Sequence, residues 1–185
     1  TGKFGTKVVD KLLETVPASQ LAVSVRKPEK AEGFRARGVE VRHGDFDYPE
    51  TLDSAFAGID RLLIISADGD NETRIRQHGK AVTAAERVGV KFIAYTSLAN
   101  IKESKLSLAE VHRFTEEAIL KTGIPYTFLR NNWYLENEIV SIQGVLAGAP
   151  WLTSAGKGKV GWATQQDYAE VAAAVLSGKE HENKI

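Results

Sequence analysis

Short apolar runs alternate with amphipathic stretches along this chain, in the pattern typical of an α/β protein. The apolar runs predict β-strands over residues 21–25, 39–42, 62–66, 92–97 and 126–129. The stretches between them predict helices over about 28–36, 49–57, 71–88, 107–122 and 132–147. Because strands and helices alternate repeatedly, we expect a parallel sheet with right-handed crossover connections.

Residues typical of helix ends mark several of these boundaries. Ser107 and Glu110 have the spacing of a capping box, and Thr164 and Asp167 form a second helix-start signal. Gly123 stands where a helix gives way to a strand, as expected for a residue that ends a helix.

A glycine-rich turn opens the chain and leads into a helix. Residues 1–5 read TGKFG, and apolar residues then recur with helical period between positions 8 and 13. In dinucleotide-binding folds such a turn presents backbone N–H groups and a helix N-terminus to a pyrophosphate. It normally follows a buried strand, so we expect a strand and at least one more glycine before Thr1 in the protein.

That expected first strand is central in the doubly wound strand order. Without it, the sheet would consist of two halves whose facing backbone groups lack partners. Each such group costs about 1–3 kcal/mol if it is buried without a hydrogen bond. We therefore expect a chain that truly began at Thr1 to fold poorly or to rearrange.

Two cations, Arg26 and Lys27, directly follow the strand predicted over 21–25. An acidic residue at this strand end would accept hydrogen bonds from the adenosine ribose 2′-hydroxyl. Cations instead suit a 2′-phosphate, which the Arg26 guanidinium can bind with two hydrogen bonds. A solvated basic pair beside the turn at Pro28 is the alternative. After a glycine turn and one crossover, the pair favours NADP over NAD.

Composition agrees with a single α/β domain and removes several classes of function. The 185 residues carry 24 basic and 24 acidic side chains, so charge predicts neither a nucleic acid nor a membrane surface as partner. The lack of cysteine excludes disulfides and thiolate chemistry. Neither His43 nor His78 has a second ligand at metal spacing, and we predict no metal site. No apolar run approaches the ~20 residues that span a bilayer, so we predict no membrane insertion and a cytoplasmic location.

Six segments have the order and spacing found in one protein family: TGKFG at 1–5, VPASQ at 16–20, VRKPEK at 25–30, GVEVRHGDFDYPETLDSAFAGID at 38–60, GVKFIAYTSLA at 89–99 and LRNNWYLEN at 129–137. The chain resembles the NmrA-like branch of the atypical short-chain dehydrogenases, and within it the bacterial NAD(P)H:quinone oxidoreductase type 2 subgroup. The resemblance implies a Rossmann-type doubly wound sheet and one NAD(P)-binding domain over 1–185. It also implies a preference for NADPH over NADH, and a smaller lobe, closing the substrate cleft, after residue 185.

The resemblance implies phosphate contacts near the start of the chain. Gly2 and Gly5 match the later glycines of the family's phosphate loop, and Phe4 matches a residue that packs near the cofactor. Arg26 matches the position that grips the 2′-phosphate. These four residues are therefore predicted cofactor contacts.

Two further pairs follow predicted strands. Asp45 and Phe46 match the place where the family frames adenine, although Asp45 could equally cap the helix that begins near Pro49. Ser66 and Ala67 match the place where backbone lies against the ribose and pyrophosphate. A simple strand end is the alternative for this second pair.

The segment from Arg130 to Tyr134 follows the strand predicted over 126–129, at the sheet edge where open α/β folds bind ligands. Asn131 and Asn132 can hydrogen-bond a carboxamide or a quinone carbonyl, while Trp133 and Tyr134 offer stacking faces. The resemblance implies that Arg130, Asn131, Asn132, Trp133 and Tyr134 serve the nicotinamide end and the substrate pocket. Alternatively, one of the asparagines caps a helix and Trp133 anchors its packing.

The chain departs from alcohol-oxidising short-chain dehydrogenases, which use Tyr-x-x-x-Lys on the helix after the fifth strand. Here Tyr95 lies within a predicted strand, and the helix carries His112 and Glu116 instead. His112 is a candidate proton donor to a hydroquinone anion because the unperturbed histidine pKa is about 6.5. Alternatively, His112 pairs with Glu116 on the helix surface.

Quinones accept hydride strongly and yield a stabilised phenolate, so their reduction needs close alignment more than a strong acid. The sequence therefore predicts an NADPH-dependent reductase of a small-molecule quinone, with NADP as cofactor. The alternative is a non-catalytic NADP(H)-binding redox sensor of the NmrA type. A homodimer is compatible with either function.

Overall fold

The fold is an α/β arrangement of parallel strands, seen in a computed structural model that describes residues 2–153 and 155–185. Thr1, the first residue of the TGKFG turn, lies outside the described residues. The strands are β1 (Ala22–Val25), β2 (Glu40–His43), β3 (Arg61–Ile64), β4 (Phe92–Leu98), β5 (Tyr126–Asn131), β6 (Trp133–Tyr134) and β7 (Trp162–Ala163). The helices are α1 (Lys3–Leu12), α2 (Glu32–Arg35), α3 (Leu52–Phe56), α4 (Asn71–Arg87), α5 (Leu108–Thr122), α6 (Ile139–Leu146) and α7 (Gln165–Ser177).

The strands form two parallel half-sheets and one short additional ladder. β1 pairs with β2, and β3, β4 and β5 form the second half-sheet in that order. β6 and β7 form the short ladder, also parallel. Within residues 2–153 and 155–185, no strand lies between β1 and β3, and a cavity separates them. The expected doubly wound α/β class, with its two half-sheets, is confirmed.

Alternation along β4 explains how helices cover both faces of the larger half-sheet. Phe92 and Ala94 are buried against α1 and α7. Ile93 and Tyr95, which point the other way, are buried against α4 and α5. Successive side chains of a strand point to opposite faces, so a strand buried on both sides needs apolar residues at consecutive positions, as in the run from Phe92 to Tyr95.

Helix α1 connects the two half-sheets. Val8 joins the core formed with Phe92 and α7. Val9, one position later, packs with Val25 of β1 and Phe34 of α2. The helix therefore fixes the position of the cavity between β1 and β3.

Two predicted helix starts have opposite outcomes. Thr164 and Asp167 form the capping box at the start of α7, with reciprocal hydrogen bonds, as predicted. Ser107 precedes α5 but its side chain makes no capping hydrogen bond, so the capping box predicted there is wrong. Ser107 has a helical φ of −56° and ψ of −38°, whereas a capping side chain needs a non-helical backbone.

Gly123 ends α5 with a left-handed φ of 70°, in agreement with its predicted place at a helix end. The helix predicted over 132–147 starts too early. Residues 133–134 form β6, and α6 begins only at Ile139 after a 3₁₀ turn over Leu135–Glu138. The described residues include no helix long and apolar enough to cross a membrane.

Candidate functional site

A cavity of about 1490 Å³ runs between the half-sheets and opens along the carboxyl ends of β1 to β5. Its inner part is the gap between β1 and β3. The carboxyl edge is where open α/β sheets bind ligands. Thirteen of the fourteen predicted site residues line this cavity: Gly2, Phe4, Gly5, Arg26, Asp45, Phe46, Ser66, Ala67, His112, Asn131, Asn132, Trp133 and Tyr134.

The N-terminus of α1 faces the cavity. Gly2 is the N-cap residue, and the first-turn N–H groups of a helix lack intrahelical acceptors. A Cβ added at Gly5 would lie 3.2 Å from Ile65 Cδ1, so a side chain there would crowd the end of β3. Phe4 stacks on Tyr134 with their ring centroids 6.0 Å apart. This helix end can therefore receive an anion at close range.

Arg26 extends from the end of β1 and lines the cavity, whereas the neighbouring Lys27 does not. Within the described part of the chain, the Arg26 guanidinium has no ion-pair or hydrogen-bond partner. Its five N–H donors are therefore available to a ligand.

Asp45 forms a turn of its own and does not cap a helix. Its carboxylate accepts a hydrogen bond from the Asp47 N–H at 2.9 Å. The helical turn that follows begins after Tyr48 and has no side-chain cap, so the capping alternative for Asp45 is wrong. Next to this turn, Gln77 donates to Asp47 Oδ2 at 2.9 Å. Gln77 lines the same cavity, and its buried Oε1 atom has no hydrogen-bond partner among the described residues.

The amide hydrogens of Ser66 and Ala67 are used by the protein itself. Ser66 N–H donates to Thr96 Oγ1 at 2.9 Å, and Ala67 N–H donates to His78 Nε2 at 3.0 Å. Arg74 donates to Ser66 Oγ at 2.8 Å and also lines the cavity. These hydrogen bonds hold the backbone of Ser66 and Ala67 in place, so that a ligand can pack against it.

The bond from Ala67 determines the tautomer of His78, which is fully buried. Because Nε2 accepts, Nδ1 carries the hydrogen and donates to Thr115 Oγ1 at 2.8 Å. The Thr115 hydroxyl in turn donates a hydrogen bond to the Val111 carbonyl oxygen at 2.8 Å. Burial, followed by the charge of Arg74, lowers the pKa of His78 to about 4.

His112 is buried beside the cavity and does not pair with Glu116 on a helix surface, so that alternative is wrong. Its Nδ1 lies 2.8 Å from the Tyr95 hydroxyl. Burial first, and then the charge of Arg74, lower the pKa of His112 to about 4 despite the opposing effect of Glu116. Burial likewise raises the pKa of Tyr95 to about 12. At neutral pH His112 is therefore uncharged, which corrects the expectation of a histidine with an ordinary pKa.

Arg130 is directed away from the cavity and towards Glu116. Its Nε and Nη2 atoms donate to the two Glu116 carboxylate oxygens at 3.0 and 2.7 Å. Ser97 Oγ also donates to Glu116, at 2.6 Å. This hydrogen-bonded ion pair raises the pKa of Arg130. Arg130 is thus the one predicted site residue that does not line the cavity, and its placement gives it a structural role.

Asn131, the last residue of β5, and the three residues that follow it line the cavity. Asn131 is buried and donates to the Tyr134 hydroxyl at 3.1 Å. The Asn132 N–H donates to the Tyr168 hydroxyl at 2.9 Å. Trp133 is about half exposed, and its Nε1 donates to Glu138 at 2.8 Å. Neither asparagine caps a helix, because Asn131 ends β5 and the next helical turn begins after Tyr134. The capping alternative for this segment is therefore wrong.

The sequence did not predict a role for Arg74 and Gln77, which line the cavity, or for Tyr95, which contacts His112. Arg74 and Gln77 stand three positions apart on α4, the spacing of neighbours on one helix face. No motif distinguishes them from the other polar residues of α4. Tyr95 stands on an apolar strand, where an aromatic residue is usually part of the core. Within residues 2–153 and 155–185, no three potential metal ligands come together.

Comparison with known proteins identifies the family. The sequence model of a family described as NAD(P)H-binding matches residues 1–179. The chain is 43% identical over its full length to quinone oxidoreductase 2 of Escherichia coli and spans 64% of that protein. It is 34% identical, over 74% of its length and 46% of the relative, to an NmrA-like family domain-containing oxidoreductase of Aspergillus flavus.

A solved structure of a Citrobacter triphenylmethane reductase complexed with NADP(H) is also similar. It has a TM-score of 0.94 and 47% identity, covering 99% of this chain and 65% of that one. The NADPH-dependent quinone oxidoreductase of Escherichia coli complexed with NADPH gives a TM-score of 0.95, with coverages of 99% and 64%. The chain thus spans less than two thirds of these relatives. The expected resemblance is confirmed, and the chain belongs to the NAD(P)H-binding family.

Proposed function

We propose that this chain forms the NADPH-binding part of an oxidoreductase that reduces a quinone. The observation that carries the proposal is the single cavity along the carboxyl edge. It brings the α1 N-terminus and Arg26 together with His112 and the Asn131–Tyr134 segment, although these are far apart in sequence. The cavity thus combines groups that can bind phosphate with aromatic side chains that can pack against a conjugated ring. This combination suits a nicotinamide cofactor and its substrate.

The residues of the cavity fit NADPH at several points. The N-terminus of α1 would hold the pyrophosphate, and Arg26 would bind the 2′-phosphate with its unpartnered guanidinium. Gln77 lines the cavity, and its buried Oε1 acceptor, which has no partner among the described residues, would receive a hydrogen bond from the adenine amino group. A bound ligand would thereby remove the free-energy cost of an unsatisfied buried group. When bound, the reduced nicotinamide supplies a hydride.

The chemistry of His112 and Tyr95 favours a substrate that needs no strong acid. His112 is uncharged at neutral pH and Tyr95 holds its proton, so neither protonates an ordinary ketone readily. A quinone gives a delocalised phenolate on accepting hydride and needs mainly a hydrogen-bond donor and close alignment. Trp133 and Tyr134 offer the aromatic surfaces for that alignment.

The similarity to a triphenylmethane reductase supports a triphenylmethane dye as a second candidate substrate, because such a dye is also a conjugated hydride acceptor. A triphenylmethane dye is a delocalised cation that also accepts hydride without proton transfer to oxygen. The two substrates differ in charge, and the cationic Arg74 near His112 favours the neutral quinone or its anionic product.

The test is NADPH oxidation followed by absorbance, without oxygen, in the presence of a benzoquinone, a triphenylmethane dye or cyclohexanone. We expect the quinone to accelerate oxidation strongly and cyclohexanone to leave it at the background rate. If the dye alone accelerated NADPH oxidation, the proposed substrate would be a triphenylmethane dye instead of a quinone. If several quinones and the dye have no effect while NADPH still binds, the reductase proposal fails and the redox-sensor alternative is favoured.

A further inference from the structure

The Tyr95 hydroxyl lies 2.8 Å from His112 Nδ1, inside the core between β4 and α5. Tyr95 is completely buried and does not line the cavity, whereas His112 does. Since Nδ1 is directed to Tyr95, Nε2 is the ring nitrogen left for the cavity. We propose that Tyr95 is a positioning residue that holds His112 in the tautomer with its hydrogen on Nε2, so that this N–H can donate to a quinone oxygen.

The hydrogen-bond inventory around Tyr95 supports this direction of donation. Thr115 and Ser66 are the other hydroxyls near the phenol. Thr115 gives its hydrogen to the Val111 carbonyl and accepts the His78 N–H, and Ser66 accepts from Arg74. An imidazole nitrogen is a more basic acceptor than an alcohol oxygen. The phenol hydrogen is therefore best placed on the bond to Nδ1, which leaves the ring hydrogen on Nε2.

Because the His112 ring is uncharged near neutral pH, its tautomer decides whether the nitrogen left for the cavity donates or accepts a hydrogen bond. Burial first, and then the charge of Arg74 from α4, oppose protonation of the ring, while Glu116 from α5, which favours protonation, is paired with Arg130 and Ser97. The ring is therefore uncharged near neutral pH and has a single N–H to offer. If that hydrogen were on Nδ1, the cavity would face a lone pair, which repels the oxygen of a quinone.

The proposal rests on the proposed function and concerns one step of it. Hydride transfer would break a C–H bond of the reduced nicotinamide and form an O–H bond at one quinone oxygen, so that the second quinone oxygen would become anionic. The His112 Nε2–H stabilises that anion by a hydrogen bond, and water supplies the proton that completes the hydroquinone. No proton leaves Tyr95, so the phenol acts only by orienting the ring.

The first test needs neither cofactor nor substrate. In protein labelled with ¹⁵N-histidine, long-range ¹H–¹⁵N correlation spectra at neutral pH distinguish the two tautomers of His112. We expect an unprotonated Nδ1 and a protonated Nε2 in the unaltered protein, and a larger Nδ1–H population in Tyr95→Phe. Tyr126→Phe is the matched control, because it removes a hydroxyl from the neighbouring strand β5 outside the cavity.

The second test is kinetic. Tyr95→Phe should lower kcat for benzoquinone roughly tenfold, as for the loss of one oriented hydrogen bond, with KM for NADPH unchanged. Tyr126→Phe should leave both constants unchanged. A hydrogen on Nδ1 of His112 in the unaltered protein would overturn the proposal, even if Tyr95→Phe failed to fold. An unchanged kcat in a folded Tyr95→Phe would also overturn it. If the unaltered protein has the expected His112 tautomer but does not reduce quinones, the proposed function is refuted. The orientation of the His112 ring by Tyr95 is then still supported.

Discussion

Glu116 accepts two hydrogen bonds from the Arg130 guanidinium, at 3.0 and 2.7 Å. The Glu116 side chain is only 8% exposed and that of Arg130 22%. The pair joins α5 to the carboxyl end of β5, and Ser97 joins the same carboxylate to β4. The structure thus uses Arg130 to hold together the elements that carry His112 and Asn131.

Removal of one member of this pair should destabilise the fold. Glu116→Ala leaves the Arg130 charge largely buried and unpaired, so we expect the free energy of unfolding to fall by about 3 kcal/mol. Urea unfolding followed by circular dichroism measures the change. Lys91→Gln is the control, since Lys91 and Asp60 form an exposed pair, and it should not move the urea midpoint. Equal effects of the two substitutions would show that burial does not strengthen the Glu116–Arg130 pair.

Stability should fall as the pH is lowered from about 6.5 towards 4. His78 and His112 have folded-state pKa values of about 4, below the unfolded value of about 6.5, so the unfolded chain binds more protons in this range. Their contribution is fully present above pH 6.5 and is lost as pH falls through 4. Each histidine should add a slope of about 1.4 kcal/mol per pH unit.

Urea unfolding at several pH values between 4 and 7 measures this slope. NMR titration of the imidazole C–H signals assigns it to individual residues. A midpoint near 6.5 for His112 would contradict the desolvation that the structure implies.

Arg26→Glu should weaken NADPH binding far more than NADH binding, because only NADPH carries the 2′-phosphate. Loss of a charged hydrogen-bonding partner should raise the Kd for NADPH by about tenfold or more. Fluorescence titration with both reduced cofactors gives the two Kd values. Lys27→Glu makes the same charge change one residue later, outside the cavity, and should have a much smaller effect. Similar losses for NADPH and NADH in Arg26→Glu would argue against a phosphate contact.

Thr164→Ala should destabilise the protein by about 1 kcal/mol, because Thr164 caps α7, which packs against α1. Ser107→Ala should have little effect, since Ser107 makes no capping hydrogen bond at α5. Thermal unfolding of both variants is the measurement. A larger loss in Ser107→Ala than in Thr164→Ala would contradict the geometry of the two helix starts.

Most secondary structure could be predicted because it depends on neighbours in sequence. The apolar run over 92–97 predicts β4 and the amphipathic stretch over 71–88 predicts α4, and both elements form with nearly the expected bounds. Residues 133–134 are the exception. The Trp133 and Tyr134 segment pairs with β7, about 30 residues later, and this distant partner overrides the local preference for a helix.

The sequence by itself determined the order of elements, the residues at the strand ends and the positive charge after β1, because each depends on local periodicity and residue type. Only the tertiary structure decided which polar groups face the cavity. Arg130 and His112 are both polar residues beside an apolar stretch, yet one is withdrawn to Glu116 and the other lines the cavity. The low pKa of His112 and its bond to Tyr95 also depend on contacts between elements. Burial and pairing arise from packing of distant segments, which the local pattern does not encode.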